Sequence, residues 1–469
     1  MPLYVGGYVA GPTTKSAPPC DLTHLEQTLT SFRPASIRSG FKHFIVAGET
    51  ANGKRLYGFG KGENGRLGVD WHTGKDEAGT VEIPTSWLPD SVTVKAVACG
   101  REHSLFLTSS SLVFSCGWGE AGRLGHGPDV TELHTPKQVL EFQLLPGKPG
   151  KVSTSSTCPS IRAVAAGREH SVFVTEKEGY CYACGAGFGG RLGISEGHEE
   201  VDVSYPTLCG LSGTTFQRSR YLRLNGHELP NVDDVIAPQL RGVVQAAAGD
   251  LHTLALDRYG SVYSWGFNET GALGRPSSDR NHHIPEKVEF PPPLPNSMTN
   301  IAAGAYHSLA QSASGELYGW GDGEDGQLLP ERGKLTSPTR TPLPEKAIDV
   351  KAGFCTSGAL STTGKLYVWG CPEGQDGKPP TPSHEVKEVK VVEDGFVEDV
   401  VFGGFDLGGY SLVARSGKVE EEVDKKFKHR RRPKRNLSVS KKLMQSKLFT
   451  RAASNPTSSP NHFKATSII

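Results

Sequence analysis

Several short stretches of this 469-residue chain carry residue types and spacings that could do chemistry. Gly117-Trp-Gly119-Glu-Ala-Gly122, Gly185-Ala-Gly187-Phe-Gly-Gly190 and Gly321-Asp-Gly323-Glu-Asp-Gly326 each match G-x-G-x-x-G. That loop holds a dinucleotide pyrophosphate only when it opens a helix. No helix-like pattern follows any of the three, so they read as turns, and the absence of G-K-[ST] excludes a P-loop. Cys181-x-x-Cys184 has the spacing of a redox or zinc pair. It lies in a predicted strand, where residues three apart point to opposite faces, and no second pair completes a zinc site. His43, His103, His170, His252 and His307 could form a ring of ligands. Their regular phase assigns each instead a backbone hydrogen bond inside its own structural unit. With no H-E-x-x-H or G-x-S-x-G present, no catalytic, cofactor or metal site is expected. Enzymatic activity stays open only in a form that needs no catalytic side chain.

The other chemically distinctive segment is the run Lys425-Lys426-Phe-Lys428-His-Arg430-Arg431-Arg432-Pro-Lys434-Arg435. Such density reads as a nuclear localisation signal or a nucleic-acid patch, with a transport receptor or nucleic acid as its partner. From 425 onward there are 13 Lys or Arg and no Asp or Glu, which leaves 38 basic and 50 acidic residues in 1–424, a net of −12. An acidic body disfavours nucleic acid as the body's own partner. The tail is too polar to bury a core and is expected to be disordered. Arg435-Asn-Leu-Ser438 and Arg451-Ala-Ala-Ser454 place Arg three residues before Ser, which makes Ser438 and Ser454 candidate phosphorylation sites. Asn455 and Pro456 after Ser454 add an Arg-x-x-Ser-x-Pro arrangement of the kind that arginine clusters grip once phosphorylated.

The elements that position these residues repeat. Gly-x-x-His followed by an apolar strand occurs at Gly40, Gly100, Gly167, Gly249 and Gly304, with weaker copies at Gly353-Phe-Cys-Thr356 and Gly404-Phe-Asp-Leu407 where the His is lost. A second half-motif follows the first six copies, as in Val262-Tyr-Ser-Trp-Gly266, Leu317-Tyr-Gly-Trp-Gly321 and Leu366-Tyr-Val-Trp-Gly370. Most then run on to Gly-x-Leu-Gly, as in Gly65-Arg-Leu-Gly68. The seventh copy has no second half, but Leu3-Tyr4-Val5-Gly6-Gly7 at the other end of the chain differs from Leu366–Gly370 at one position.

Each half-motif is a short run of β-branched and aromatic residues bounded by Gly, which predicts a strand. With 57 Gly and 32 Pro, long helices are disfavoured. Units of about 50 residues with circular completion specify a propeller. The expected fold is all-β: a seven-bladed β-propeller over 1–415, its N-terminal strand closing the last blade, and a disordered basic tail over 416–469. No run of 18 apolar residues occurs, so no membrane partner is expected. Nine Cys without framework spacing read as reduced thiols. Met1 to Gly11 has no signal-like pattern, so the expected location is nucleus and/or cytoplasm.

These phased motifs resemble the regulator of chromosome condensation repeat family over about residues 3–415. The resemblance implies a seven-bladed propeller with one blade shared between the termini. It also implies function through protein partners, because the family includes exchange factors for small GTPases, a plant UV-B photoreceptor and scaffolding propellers. The photoreceptor's clustered tryptophans are not matched by six Trp with Phe or Cys at several repeat positions. Two function readings follow: a regulatory propeller promoting guanine-nucleotide release from a small GTPase, or a non-exchanging scaffold in a multiprotein complex. The family's exchange-site residues lie outside the repeat motif, so none is carried over. Two further interaction elements are the stretch between Gly193 and Gly249, with Arg218, Arg220 and Arg223 near Phe216 and Tyr221, and the run Pro291-Pro-Pro-Leu-Pro295.

Overall fold

The computed structural model describes residues 3–6, 33–41, 43–50, 53–70, 79–143, 158–194, 201–210, 240–276, 281–292, 297–329, 333–370, 383–389, 395–402 and 412–418. A first strand, β1 (Leu3–Gly6), is separated in sequence from the sheet it joins. The first four-stranded sheet holds β2 (Arg33–Ser39), β3 (His43–Thr50), β4 (Gly53–Gly60) and β5 (Gly79–Glu82). The second holds β6 (Val94–Cys99), β7 (His103–Thr108), β8 (Val113–Trp118) and β9 (Glu132–Gln138). The third holds β10 (Ile161–Ala166), β11 (His170–Thr175), β12 (Cys181–Gly185) and β13 (Val203–Leu208). The fourth holds β14 (Val243–Ala248), β15 (His252–Asp257), β16 (Val262–Phe267) and β17 (Asn281–Lys287). The fifth holds β18 (Met298–Ala303), β19 (His307–Ser312), β20 (Leu317–Gly321) and β21 (Leu335–Thr341). The sixth holds β22 (Ala347–Ala352), β23 (Thr356–Ser361), β24 (Leu366–Gly370) and β25 (Ser383–Val389). A three-stranded sheet of β1, β27 (Leu412–Lys418) and β26 (Gly395–Phe402) completes the set.

Every four-stranded sheet is an antiparallel meander, and its first strand packs against the first strand of the next sheet. β26 packs on both β22 and β2, so these inner strands close a ring around a central channel. The fold is therefore an all-β propeller, with no α-helix among the described residues. Inner strands such as IRAVAA, VVQAAA and MTNIAA are rich in Ala toward their ends. Sheets that converge on an axis leave room only for small side chains there. Second strands are buried along their whole length, as in His103–Thr108 and His170–Thr175, because each is covered on both faces by neighbouring sheets.

The core sits between sheets rather than within them. Leu105 and Val113 of the second sheet pack with Phe173 and Tyr182 of the third. Val174 and Ala183 of the third pack with Ala255 and Trp265 of the fourth. The same pattern joins the fourth to the fifth and the fifth to the sixth.

The expectation of seven complete blades is corrected to six, the seventh sheet having three strands. A fourth strand would have to come from residues 7–32, and the Gly404–Leu407 turn lies in 403–411; both segments are outside the described residues. The chain's first strand does lie on its last, antiparallel, with Leu3 opposite Arg415, Tyr4 opposite Ala414, Val5 opposite Val413 and Gly6 opposite Leu412. β27 continues to Lys418, three residues past the expected end of the propeller.

Candidate functional site: the channel mouth at the Gly-x-x-His turns

Each Gly-x-x-His turn joins an inner strand to the second strand of its sheet. The glycine is dictated by close approach, since a Cβ on Gly100 would lie 2.2 Å from His103 Cε1 and 2.6 Å from the carbonyl oxygen of Gly167. The glycines thus stack blade to blade around the channel, and backbone bonds follow the same circuit. Phe41 N–H donates to Gly100 O at 3.3 Å, Arg168 N–H to Gly249 O at 3.2 Å and Asp250 N–H to Ala305 O at 3.1 Å.

The histidines do not bond backbone inside their own blades, as the sequence suggested. Each reaches into the next blade. His43 Nε2 lies 2.7 Å from Ser104 Oγ, His103 3.0 Å from Ser171, His170 2.9 Å from Thr253 Oγ1, His252 2.9 Å from Ser308 and His307 3.0 Å from Ser357. Each hydroxyl in turn donates back to a carbonyl of the preceding blade, as Ser104 does to Arg66 O at 2.8 Å and Thr253 to Arg191 O at 2.8 Å. A hydroxyl has one proton, so its oxygen must accept from Nε2–H, which fixes Nε2 as a protonated nitrogen, and burial favours the neutral form of the ring. Burial holds these imidazoles below their ordinary range, His103 and His307 to about 3 and His252 to about 4.

The same carbonyls take a second donor. Trp265, Trp320 and Trp369 donate Nε1–H to Arg191 O, Ala272 O and Gln327 O at 3.0, 2.8 and 3.0 Å. Where the repeat has Cys116 and Cys184 instead, the thiols approach Arg66 O and Arg123 O at 3.7 Å. Each tryptophan is therefore committed to joining two blades.

The residue after each repeat glycine faces the channel mouth, where Phe41, Arg101, Arg168, Asp250, Ala305 and Phe354 form the rim. One side is aromatic: Phe41 meets Phe354 edge-on at 5.3 Å, and Tyr306 meets Phe354 at 6.4 Å. The other is charged. Arg101 sits over the Phe41 ring at 5.7 Å, and Arg168 Nη1 pairs with Asp250 Oδ2 at 3.3 Å. Burial raises the Asp250 carboxyl's pKa, opposed by the Arg168 guanidinium. Burial raises the Tyr306 phenol as well, with Asp250 adding to the shift. Beneath the rim, Arg66 and Arg191 are buried, Arg66 facing an acid of the following blade and Arg191 an acid of its own blade. Arg66 Nη2 lies 3.9 Å from Glu102, while Arg191 Nη1 lies 3.6 Å from Glu169 and donates to Asp250 O at 3.0 Å.

The turns between third and fourth strands lie at the same end, because His170 is paired opposite Gly185. One of them carries Phe188, 52% exposed, with Phe267 at 6.4 Å and Arg191 at 5.9 Å from its ring. Neutral buried imidazoles and buried thiols, Cys99 and Cys181 pushed up to about 12, offer no nucleophile or acid at working pH. The side chains of this face suit recognition. Aromatic anchors beside arginine are the side chains that carry most binding energy at protein interfaces.

The three G-x-G-x-x-G stretches are blade turns, and Ala121 inside the first adopts a left-handed φ of 58°. Cys181 and Cys184 are free thiols in separate core clusters, on opposite faces of β12. The basic residues Lys425, Lys426, Lys428, Arg430, Arg431, Arg432, Lys434 and Arg435, together with Ser438 and Ser454, lie outside the described residues. So does the segment 211–239 with Arg218, Arg220 and Arg223, and so does most of Pro291–Pro295. Sequence reading missed the rim itself. Its signal was the variable position after each repeat glycine, and the hydroxyl at Ser104, Ser171, Thr253, Ser308 and Ser357, the position after the repeat His, was the signal for the link between blades.

The regulator of chromosome condensation (RCC1) repeat matches residues 55–107, 111–174 and 259–311, and a second form of it matches 94–123, 243–272 and 298–327. The chain is 30% identical over 354 residues to the human E3 ubiquitin-protein ligase HERC2, covering 69% of this chain but 6% of the ligase. It is 27% identical over 335 residues to the human RCC1-like G exchanging factor-like protein, covering 61% of this chain and 67% of that one. The fold matches yeast RCC1 (Prp20), solved bound to Kap60, with a TM-score of 0.64 and 20% identity over 91% of this chain and 92% of that one. The mitochondrial RCC1 domain-containing protein RUG3 of Arabidopsis thaliana is 32% identical over 336 residues, 64% of this chain and 69% of its own length. With that extent of match, and with the repeats on successive blades, the chain belongs to the regulator of chromosome condensation (RCC1) repeat family.

Proposed function

We propose that this chain is a regulatory propeller that binds a protein partner across the Gly-x-x-His rim, and that the partner is a small GTPase whose guanine nucleotide it helps release. The observation that carries the reading is the rim: an aromatic side at Phe41, Tyr306 and Phe354 faces a charged side at Arg101, Arg168 and Asp250. Nucleotide release needs no catalytic side chain. It needs a rigid surface that binds the empty GTPase more tightly than the loaded one, and a rim held by blade-to-blade hydrogen bonds is rigid. The G exchanging factor-like relative supports the choice of partner.

A second reading is a non-exchanging scaffold. It is favoured by the match to a ligase in which the chain accounts for 6% of the length, so a propeller of this kind also serves as one module in a larger protein. Nucleotide release from a panel of small GTPases separates the two: an exchange factor accelerates it, whereas a scaffold leaves it unchanged.

In both readings the ring of sheets through β27 is the binding body, and 420–469 is a separate tail. The run 425–435 addresses the protein between nucleus and cytoplasm through a transport receptor, with Ser438 and Ser454 as its phosphorylation control.

A further inference from the structure

The channel holds a cavity of about 390 Å³ lined along the inner strands, and its rim-side end shares Ser39, Cys99, Ala166, Ala352 and Phe402 with the mouth. Four cations, Arg38, Lys95, Arg162 and Lys351, are among its lining side chains, and no described lining residue is Asp or Glu. That is a local reversal of sign, because residues 1–424 hold 50 acidic and 38 basic side chains. The nearby carboxylate of Asp349 is already engaged: Lys351 Nζ lies 2.9 Å from its Oδ2, and Asn300 donates to its Oδ1. Asn300 itself accepts from Gln245 at 2.7 Å, which completes a polar ladder on that wall.

Lys95 and Arg162 stand differently. They occupy equivalent positions, second in β6 and second in β10, at the strand ends remote from the Gly-x-x-His turns. Neither has an ion-pair partner among the described residues. Two like charges that line one cavity without a carboxylate partner give a bound anion an attractive site.

We propose that this end of the channel is a binding site for a small, multiply phosphorylated molecule. Lys95 and Arg162 are its principal contacts; Arg38 and Lys351 line the same cavity nearer the rim, one residue before the ends of β2 and β22. Guanidinium matches phosphate oxygens in a fork and ammonium adds a point charge. The cavity falls in the size range of small-ligand sites. Cations that face the inside wall of a channel suit a compact ligand, whereas a polymer backbone follows an open stripe. The site lies at the far end of the inner strands from the rim and does not depend on the function proposed above.

The test is calorimetric titration of the full chain with sodium triphosphate. The basic tail also attracts polyphosphate, so the titration is repeated on a full chain with the Lys and Arg of 425–435 changed to Gln. One saturable site per chain should remain in that background. Adding Lys95→Ala and Arg162→Ala should weaken it at least about tenfold, Arg162→Lys should retain most of it, and Arg101→Ala at the rim should leave it unchanged. Circular dichroism checks the fold, and if the double alanine variant unfolds, Lys95→Gln replaces it. No saturable binding in the tail-neutralised chain, equal binding by the cavity variants, or equal displacement by sulfate at the same ionic strength would overturn the proposal.

Discussion

His103 Nε2 lies 3.0 Å from Ser171 Oγ, across the boundary between the second and third sheets. The serine hydroxyl donates onward to Arg123 O at 2.7 Å, so one buried chain of two hydrogen bonds ties a turn of each blade to its neighbour. Ser171→Ala leaves the imidazole N–H without a partner and should cost about 1–3 kcal/mol, the penalty for a buried unsatisfied donor. Ser171→Thr should cost much less, because Thr253 fills the equivalent place at the next boundary. Urea denaturation of both variants checks the pair, and equal losses would show that the hydroxyl is not what matters.

The same imidazoles set an acid limit on stability. Their folded pKa values lie below the ordinary 6.5, at about 3 for His103 and His307 and about 4 for His252, because burial disfavours the charged form. The unfolded chain therefore binds more protons below pH 6.5. The stabilisation is complete above that value and is lost as pH falls through 6.5 toward the folded values. At pH 5 the loss is about 2 kcal/mol for each imidazole. Melting temperature should drop between pH 6.5 and 5, with a shallower drop in a His103→Gln variant. A flat profile would contradict neutral buried imidazoles.

Ring closure rests on β1. Deleting residues 1–11 removes the strand paired with β27 and exposes the edge of the sheet that packs on β2 and β22. Melting temperature should fall by a few °C, because in a domain of this size each kcal/mol lost shifts it by only about 1–2 °C. An unchanged value would show that closure does not depend on β1.

The tail should act apart from the propeller. A chain ending at 424 should keep its circular dichroism spectrum and its main partner, while neutralising Lys425–Arg435 should redistribute the protein in cells. Glu at Ser438 and Ser454 should shift it in the same direction by a smaller amount, since two phosphates at about −1.5 to −2 each offset only part of 13 positive charges. If neutralising the basic run leaves the protein where it was, the run is not an address.

Much of this architecture is legible in the residues. Gly-x-x-His marks five of the inner turns, Tyr-x-Trp-Gly three of the third strands, and Leu3–Gly6 finds its sheet at the opposite end of the chain, where β1 pairs with β27. Even the link between blades is written there. Ser104, Ser171, Thr253, Ser308 and Ser357 each follow the repeat position whose predecessor supplies a His, whereas Phe44 follows the repeat that has Leu407 instead. It escapes a strand-by-strand reading because the partner of each His lies 50–83 residues away. The rim is harder to see, because its residues occupy the variable positions between the repeat Gly and His. Phe41 and Phe354 stand 313 residues apart in sequence and meet only when the ring closes, at 5.3 Å. The three-stranded sheet is set apart for a related reason: it is assembled from both ends of the chain, so no contiguous repeat announces it.

The most direct test of the account is the rate of nucleotide release from a panel of small GTPases, measured with the intact chain and with a Phe354→Ala/Arg168→Ala rim variant that keeps its melting temperature. The account predicts that the intact chain accelerates release from at least one GTPase by about tenfold or more, equivalent to about 1.4 kcal/mol of barrier, and that the rim variant loses most of this. Release unchanged across the panel, or equal acceleration by the rim variant, would contradict it.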